Sequence, residues 1–254
     1  MNIEKKLKQM YTSRSKHSNY QVLASELEPF LNSNEVKINS RNEKIRLDYI
    51  LSNVKIKDKN VLDIGGNTGY FSFELLANEA KNVTYYEGNK EHAEFVKLAS
   101  KILNRDAQIL IHNEYYDFKQ DDKYDIVLLL NVLHHIGDDF GDDSLSKQKA
   151  LAQIIEYLNN VLLQADTVVF QLGFNWKGNI LLPLFESGTK KELIEFIISN
   201  LNEKFQVVKI GVAQKIGNII KFEDVNERNI ERDDSLGEFL NRPIFIIKKK
   251  NLNK

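Results

Sequence analysis

A short apolar run that meets a glycine-rich turn and then a helical stretch constrains this chain more than any other feature. It reads Val61-Leu62-Asp63-Ile64-Gly65-Gly66-Asn67-Thr68-Gly69-Tyr70-Phe71. Glycine at Gly65 and Gly69 tolerates positive φ and leaves no Cβ to keep a ligand away from the backbone. From there on, short apolar runs alternate with longer stretches of helical period. Strands are expected at Val61–Ile64, Val83–Tyr86, Gln108–His112, Asp125–Leu130 and Thr167–Leu172. Helices are expected after Gly69, over His92–Leu103, over Leu145–Leu163 with Ser144 or Asp143 as cap, and over Lys190–Lys204. Asp125–Leu130 is apolar almost throughout, as a central strand covered on both faces requires. This order implies right-handed crossovers and a mostly parallel sheet. Val207–Val212 and Pro243–Lys248 close the chain without a helix between them, which implies an antiparallel last strand. Residues 1–55 read as a helical extension or lid, with Ile45, Leu47, Ile50 and Leu51 near one face, and residues 56–254 as the main domain.

Two carboxylates flank the turn in sequence. Asp63 ends the first strand, where it suits the ammonium of an amino-acid-like ligand and repels a dinucleotide pyrophosphate. Glu87, in Tyr85-Tyr86-Glu87-Gly88-Asn89, ends the second strand about 20 residues further on, where a carboxylate accepts both ribose hydroxyls. An NAD-dependent oxidoreductase is disfavoured by Asp63. The absence of cysteine removes disulfides, thiolate nucleophiles and cysteine-held metals. A net charge of −1 gives no global attraction to nucleic acid, so a nucleic-acid partner is not expected. With no signal-peptide-like leader and no run near the ~20 apolar residues of a membrane helix, a cytoplasmic protein without a membrane partner is expected.

With these residues the chain resembles the class I S-adenosylmethionine (SAM) methyltransferases. The pattern is Asp63-Ile64-Gly65-Gly66-Asn67-Thr68-Gly69, then Glu87, then Tyr124-Asp125-Ile126-Val127. The resemblance covers roughly residues 55–250. Asn67 departs from it, standing where the family has its middle glycine; Asn is the side chain most tolerant of left-handed backbone. The resemblance implies a Rossmann-like α/β fold with a seven-stranded sheet and an N-terminal helical cap, and SAM as cofactor. It implies cofactor contacts from Asp63, Gly65, Gly66, Asn67, Gly69 and Glu87. Asn113 or Glu114 would meet the adenine amine, and Asn131 the methionine portion.

Asn131-Val132-Leu133-His134-His135-Ile136 follows the fourth strand, where ligands bind in open α/β sheets. A histidine there can take a proton from an acceptor hydroxyl. His134 and His135 are both candidates, with His135 preferred, and the alternative is a histidine that packs beneath the cofactor. Asp138, Asp139, Asp142 and Asp143 follow, and are read as a solvated loop before a helix, not as a metal site. Arg14, Lys16 and Tyr20 near the start, Trp176 after the fifth strand and Arg242 before the last are candidate acceptor contacts. The acceptor is expected to be a small molecule, anionic or sugar-type, free or linked to a nucleotide or sugar, with O-methylation favoured. The chain is similar to bacterial methyltransferases of cell-surface glycan loci, among them those of O-methyl phosphoramidate synthesis for capsules. A tRNA-modifying methyltransferase and a non-catalytic SAM-binding protein are the alternatives.

Overall fold

The computed structural model describes residues 3–12, 21–31 and 40–250. They form two compact units, residues 1–47 with 54–116, and residues 48–53 with 117–254. Arg14, Lys16 and Tyr20 lie outside the described residues.

The first unit has three parallel strands, β1 (Asn60–Ile64), β2 (Asn82–Tyr86) and β3 (Ile109–His112), in spatial order β3-β2-β1. The register sets Asp63 beside Tyr85 and Tyr86 beside His112, so the C-terminal strand ends are level. Helix α4 (Tyr70–Ala77) is buried from Tyr70 to Leu76. A helix buried on all sides is a core helix, and its polar residues Ser72 and Glu74 are both hydrogen-bonded. Helix α5 (Lys90–Ile102) is amphipathic and starts at Asn89, whose side chain accepts the Glu91 and His92 N–H groups. Helix α1 (Ile3–Thr12) packs on α5 through buried Leu7 and Tyr11, the latter 5.6 Å from the Phe95 ring. Two further helices precede β1, the single turn α2 (Glu28–Leu31) and α3 (Glu43–Asn53).

The second unit carries β4 (Tyr124–Leu130), β5 (Ala165–Gln171), β6 (Phe205–Ile216), β7 (Ile219–Asp224) and β8 (Ile244–Lys249). β4 and β5 are parallel, and β8 lies antiparallel between β5 and β6. Val127, Leu128, Leu129, Val168, Val169 and Phe170 have no exposed surface, as central strands covered on both faces require. Helices α6 (Lys147–Leu163) and α7 (Lys190–Asn200) belong here, and a single helical turn, α8 (Gly237–Leu240), precedes β8. α6 is capped by Ser146, two residues later than the sequence suggests, because Ser146 Oγ accepts the Lys149 N–H at 3.3 Å.

Over the whole chain the eight strands follow the order β3-β2-β1-β4-β5-β8-β6-β7. This is a Rossmann-like mixed sheet with antiparallel C-terminal strands. It has one strand more than the sequence reading placed. β6 runs on to Ile216 and turns through Gly217 (φ 61°) and Asn218 into β7. Gly-Asn between two β-rich runs is a two-residue hairpin signal, but the lysines in both runs and the acids of the second mask it. No helix among the described residues is long and apolar enough to cross a membrane.

Candidate functional site

In the first unit the turn between β1 and α4 takes its shape from alternate left-handed residues, Gly65 (φ 70°), Asn67 (φ 53°) and Gly69 (φ 79°). Asn67 tolerates this because its Oδ1 accepts the Thr68 N–H at 2.8 Å. Gly66 is glycine for a different reason. A Cβ there would stand 2.5 Å from the Tyr85 ring and 2.9 Å from Asp63 Oδ2. The Tyr85 hydroxyl donates to the Asn67 carbonyl, so the ring props the turn from below.

Asp63 is almost wholly buried, and its Oδ2 accepts the Ser72 hydroxyl of α4 at 2.7 Å. Burial pushes its carboxyl up to about 6, against the pull of the Ser72 hydrogen bond and with the help of the Glu87 charge. Such a carboxylate is held ready for a cation. Glu87 accepts the Asn67 N–H at Oε2 (2.9 Å) and the Asn89 N–H at Oε1 (2.8 Å), with 14% of its side chain exposed. Asn113 Nδ2 donates to the Glu87 and Gly88 carbonyls at 3.0 and 3.4 Å. Glu114 is exposed, with Oε1 3.4 Å from His112 Nδ1. The first unit thus gathers Asp63, the turn, Glu87 and Asn113. A buried carboxylate at one strand end and a half-open one at the next fit the amino-acid and ribose ends of SAM.

In the second unit the element after β4 opens on Asn131, itself left-handed (φ 62°), and winds through a 3-10 turn, Leu133–His135. Asn131 is clamped on both sides. Its Nδ2 donates to Gln171 Oε1 (2.7 Å), and its Oδ1 accepts Arg242 Nη1 (2.9 Å). Arg242 forks onto Glu238 through Nε (3.1 Å) and Nη2 (2.6 Å), and Gln171 Nε2 donates to the Arg242 carbonyl. The guanidinium charge is therefore matched by the Glu238 carboxylate, and what it does in this unit is fix Asn131. Nothing in the sequence pairs Glu238 or Gln171 with this loop; the parallel pairing of β4 with β5 brings Gln171 there, and the return of the chain into β8 brings Glu238.

The two histidines differ. His134 is fully buried, and its Nδ1 accepts the Gly173 N–H at 3.4 Å. Gly173 has no room for a side chain, since a Cβ would lie 2.6 Å from that imidazole. His135 is partly exposed, with Nδ1 3.2 Å from Asp139 Oδ2 and 4.0 Å from Asp138 Oδ2. Asp139 is thus the carboxylate nearest His135, a proximity hidden in the sequence by three neighbouring aspartates. The ligand atoms of His135, Asp138 and Asp139 lie within 4.8 Å of one another. A hard cation takes six or more oxygens, so this set better matches a histidine–carboxylate pair. Trp176 is buried, donates from Nε1 to the Ile136 carbonyl at 2.7 Å and so braces the loop that carries His135.

The comparisons with known proteins agree with this frame. Two curated relatives are tRNA U34 carboxymethyltransferases. That of Helicobacter pylori (strain J99 / ATCC 700824) is 26% identical over 108 residues, and that of Helicobacter acinonychis (strain Sheeba) 28% over 109. Each alignment covers 40% of this chain and 40% of the relative, so the match spans less than half the length of these relatives. Among solved structures, the bifunctional kinase-methyltransferase WbdD superposes with a TM-score of 0.55 at 15% identity, over 95% of this chain and 46% of that one. The magnesium protoporphyrin IX methyltransferase ChlM of Synechocystis PCC 6803, crystallised with SAM, gives 0.51 at 14% identity, over 98% of both chains. At these identities the likeness is one of fold. The family model described as a methyltransferase domain matches residues 38–168, more than half of the chain. With the glycine turn and its two carboxylates inside that stretch, the chain belongs to the methyltransferase domain family, the SAM-dependent enzymes of the Rossmann-like class.

Proposed function

We propose that this protein transfers the methyl group of SAM to a hydroxyl of a small, sugar-type acceptor, with His135 as general base. One observation carries the reading: His135 Nδ1 lies 3.2 Å from the Asp139 carboxylate. At that distance a small turn of the ring would let the carboxylate accept a hydrogen bond from Nδ1, which would leave Nε2 as the basic nitrogen. SAM, when bound, supplies a methyl carbon already activated by its sulfonium. What remains for the protein is alignment, exclusion of water and removal of one proton. The acceptor's hydroxyl proton would pass to His135 Nε2, with bound SAM supplying the methyl group and leaving as S-adenosylhomocysteine. Asp139 stabilises the resulting imidazolium.

In this proposal Asp63 meets the ammonium of the cofactor, Gly65, Gly66, Asn67 and Gly69 form its backbone cradle, and Glu87 takes the ribose diol. Asn113 or Glu114 meets the adenine, and Asn131 the methionine portion. Buried His134 supports the loop and leaves the proton transfer to His135. Trp176 and Arg242 act through the loops they brace, and Arg14, Lys16 and Tyr20 remain candidate acceptor contacts. In the same proposal the catalytic domain is kept at 56–254, with 1–55 read as its extension. A surface-glycan precursor is the acceptor class we favour, because the Arg242 charge is matched by Glu238 and a neutral hydroxyl needs a base more than a cation.

The second reading, a tRNA acceptor, is favoured by the names of the curated relatives. A panel assay with labelled SAM, nucleotide sugars, free sugars and bulk tRNA separates the two. His135→Ala is expected to lower turnover on the accepted hydroxyl at least ~100-fold, the scale of general-base catalysis, with SAM affinity unchanged. Asp139→Asn should cost about tenfold. Turnover that survives His135→Ala would mean an acceptor needing no base, and methylation confined to tRNA would replace the sugar reading.

A further inference from the structure

We propose that Gln21 is a positioning residue of the cofactor turn, so that the segment before β1 is part of the grip on SAM and not only a cover over helices. The proposal rests on the reading that this turn holds SAM. Helix α4 starts from Gly69, which is left-handed (φ 79°) and makes no side-chain cap. The first N–H groups of any helix lack partners within it, and glycine at the cap position offers none. Here the partner comes from 49 residues earlier in the chain. Gln21 Oε1 accepts the Tyr70 N–H at 3.1 Å and the Thr68 hydroxyl at 3.2 Å.

These two donors sit on either side of Gly69, the pivot whose φ sets where the turn leaves the strand. One oxygen therefore pins both flanks of the pivot. Gln21 is itself held, with 9% of its surface exposed and its carbonyl accepting the Tyr11 hydroxyl. Four residues on, the Ser25 N–H reaches Glu74 Oε1 at 2.5 Å, so this segment is tied to α4 at a second place. Thr68 is also buried. Without Oε1, its hydroxyl and the Tyr70 N–H both lose this hydrogen bond, and the two flanks of the pivot are no longer tied to one point. The consequence falls on the backbone that cradles the ligand.

The full chain is titrated calorimetrically with SAM and S-adenosylhomocysteine, as wild type, Gln21→Met and Gln21→Glu. Methionine keeps the shape and removes the acceptor; glutamate keeps an acceptor oxygen and suits a helix N-terminus. We expect Gln21→Met to weaken both ligands at least tenfold and Gln21→Glu to stay within threefold of wild type. Amide exchange at Tyr70, measured without ligand, should quicken at least tenfold in Gln21→Met alone. Thr68→Val, which removes one donor and preserves the volume, should weaken SAM about threefold, and it decides the matter if Gln21→Met does not fold. Wild-type affinity in Gln21→Met or in Thr68→Val overturns the proposal, as does an equal loss in the methionine and glutamate variants. If the wild type binds no SAM, the cofactor reading fails first and takes the grip with it. Unchanged Tyr70 exchange would show separately that the latch is absent.

Discussion

Asp63→Asn is expected to raise the melting temperature of the ligand-free protein at pH 8 while weakening SAM at least tenfold. The wild-type carboxyl is buried, and its pKa stands at about 6 where an exposed aspartate has 3.8. The folded chain therefore holds this proton to higher pH than the unfolded chain does. Stability is undiminished below pH ~4, falls as pH rises through the window up to about 6, and stays reduced above it. A shift of two units corresponds to about 3 kcal/mol. Asparagine removes that charge and can still accept the Ser72 hydroxyl, but its amide N–H groups need acceptors of their own. A net gain on the order of 1–3 kcal/mol remains, or about 2–10 °C for a chain of this size. Thermal melts of both proteins should separate between pH 4 and 6, with the variant level with the wild type or below it in more acid solution, where only the cost of the amide remains. Binding moves the other way. A charge-assisted contact to an ammonium is worth ~1.5–3 kcal/mol, so calorimetry should show SAM weakened by roughly 10- to 100-fold. Wild-type affinity should itself rise from pH 5 to pH 7 as Asp63 ionises. A variant no more stable at pH 8 than the wild type, or one that binds SAM unchanged, would remove Asp63 from its proposed role.

The same residue shows why part of the molecule was legible in the sequence and part was not. Asp63, Glu87 and the turn are contiguous or follow one strand each, and period-two and helical patterns place them at adjacent strand ends. Those features are local, and local features survive reading without a structure. The Asn131 clamp is not local. It joins β4, β5 and the loop before β8, and Glu238 and Gln171 looked like any surface acid and amide. Arg242 shows the cost of that blindness. A lone arginine before a strand invites reading as an acceptor contact, and its fork to Glu238 and its bond to Asn131 could be seen only in the structure. Gln21 was hidden for the same reason, since no spacing rule links a glutamine to a helix start 49 residues later. β7 was missed although its Gly217-Asn218 turn is a recognised signal, because Ile219, Lys221 and Glu223 are at least partly exposed and dilute the strand pattern. Asp139 was visible but indistinguishable from Asp138, Asp142 and Asp143 until distances separated them.

Gly66→Ala should cost the protein far more than one methyl ordinarily does. Unlike Gly65 and Gly69, Gly66 is not in the left-handed region, so conformational freedom is not the reason glycine stands there. The obstacle is Tyr85, fully buried, with two ring carbons at 2.5 and 2.6 Å from the ideal Cβ position. A flexible side chain could swing aside, but this ring is fixed by the β2 backbone at one end and by its hydroxyl on the Asn67 carbonyl at the other. Relief on the opposite side is closed by Asp63 Oδ2 at 2.9 Å. Either the turn lifts off β2 or the strand end moves, and overpacking of that kind costs ~1–3 kcal/mol. Because the strain falls on the backbone that cradles the cofactor, affinity for SAM should drop further than stability, by at least ~30-fold. The cause can be isolated with Tyr85→Val, which clears the ring. Added to Gly66→Ala it should restore part of the lost stability, so that the two changes together cost less than their sum. Strict additivity, or full SAM affinity in Gly66→Ala alone, would mean that the turn is not held against Tyr85 as described. The order of the losses matters as much as their size. A protein that keeps its fold and loses its cofactor identifies the contact between Tyr85 and Gly66 as a support of the site, whereas proportional loss of both makes it part of the core.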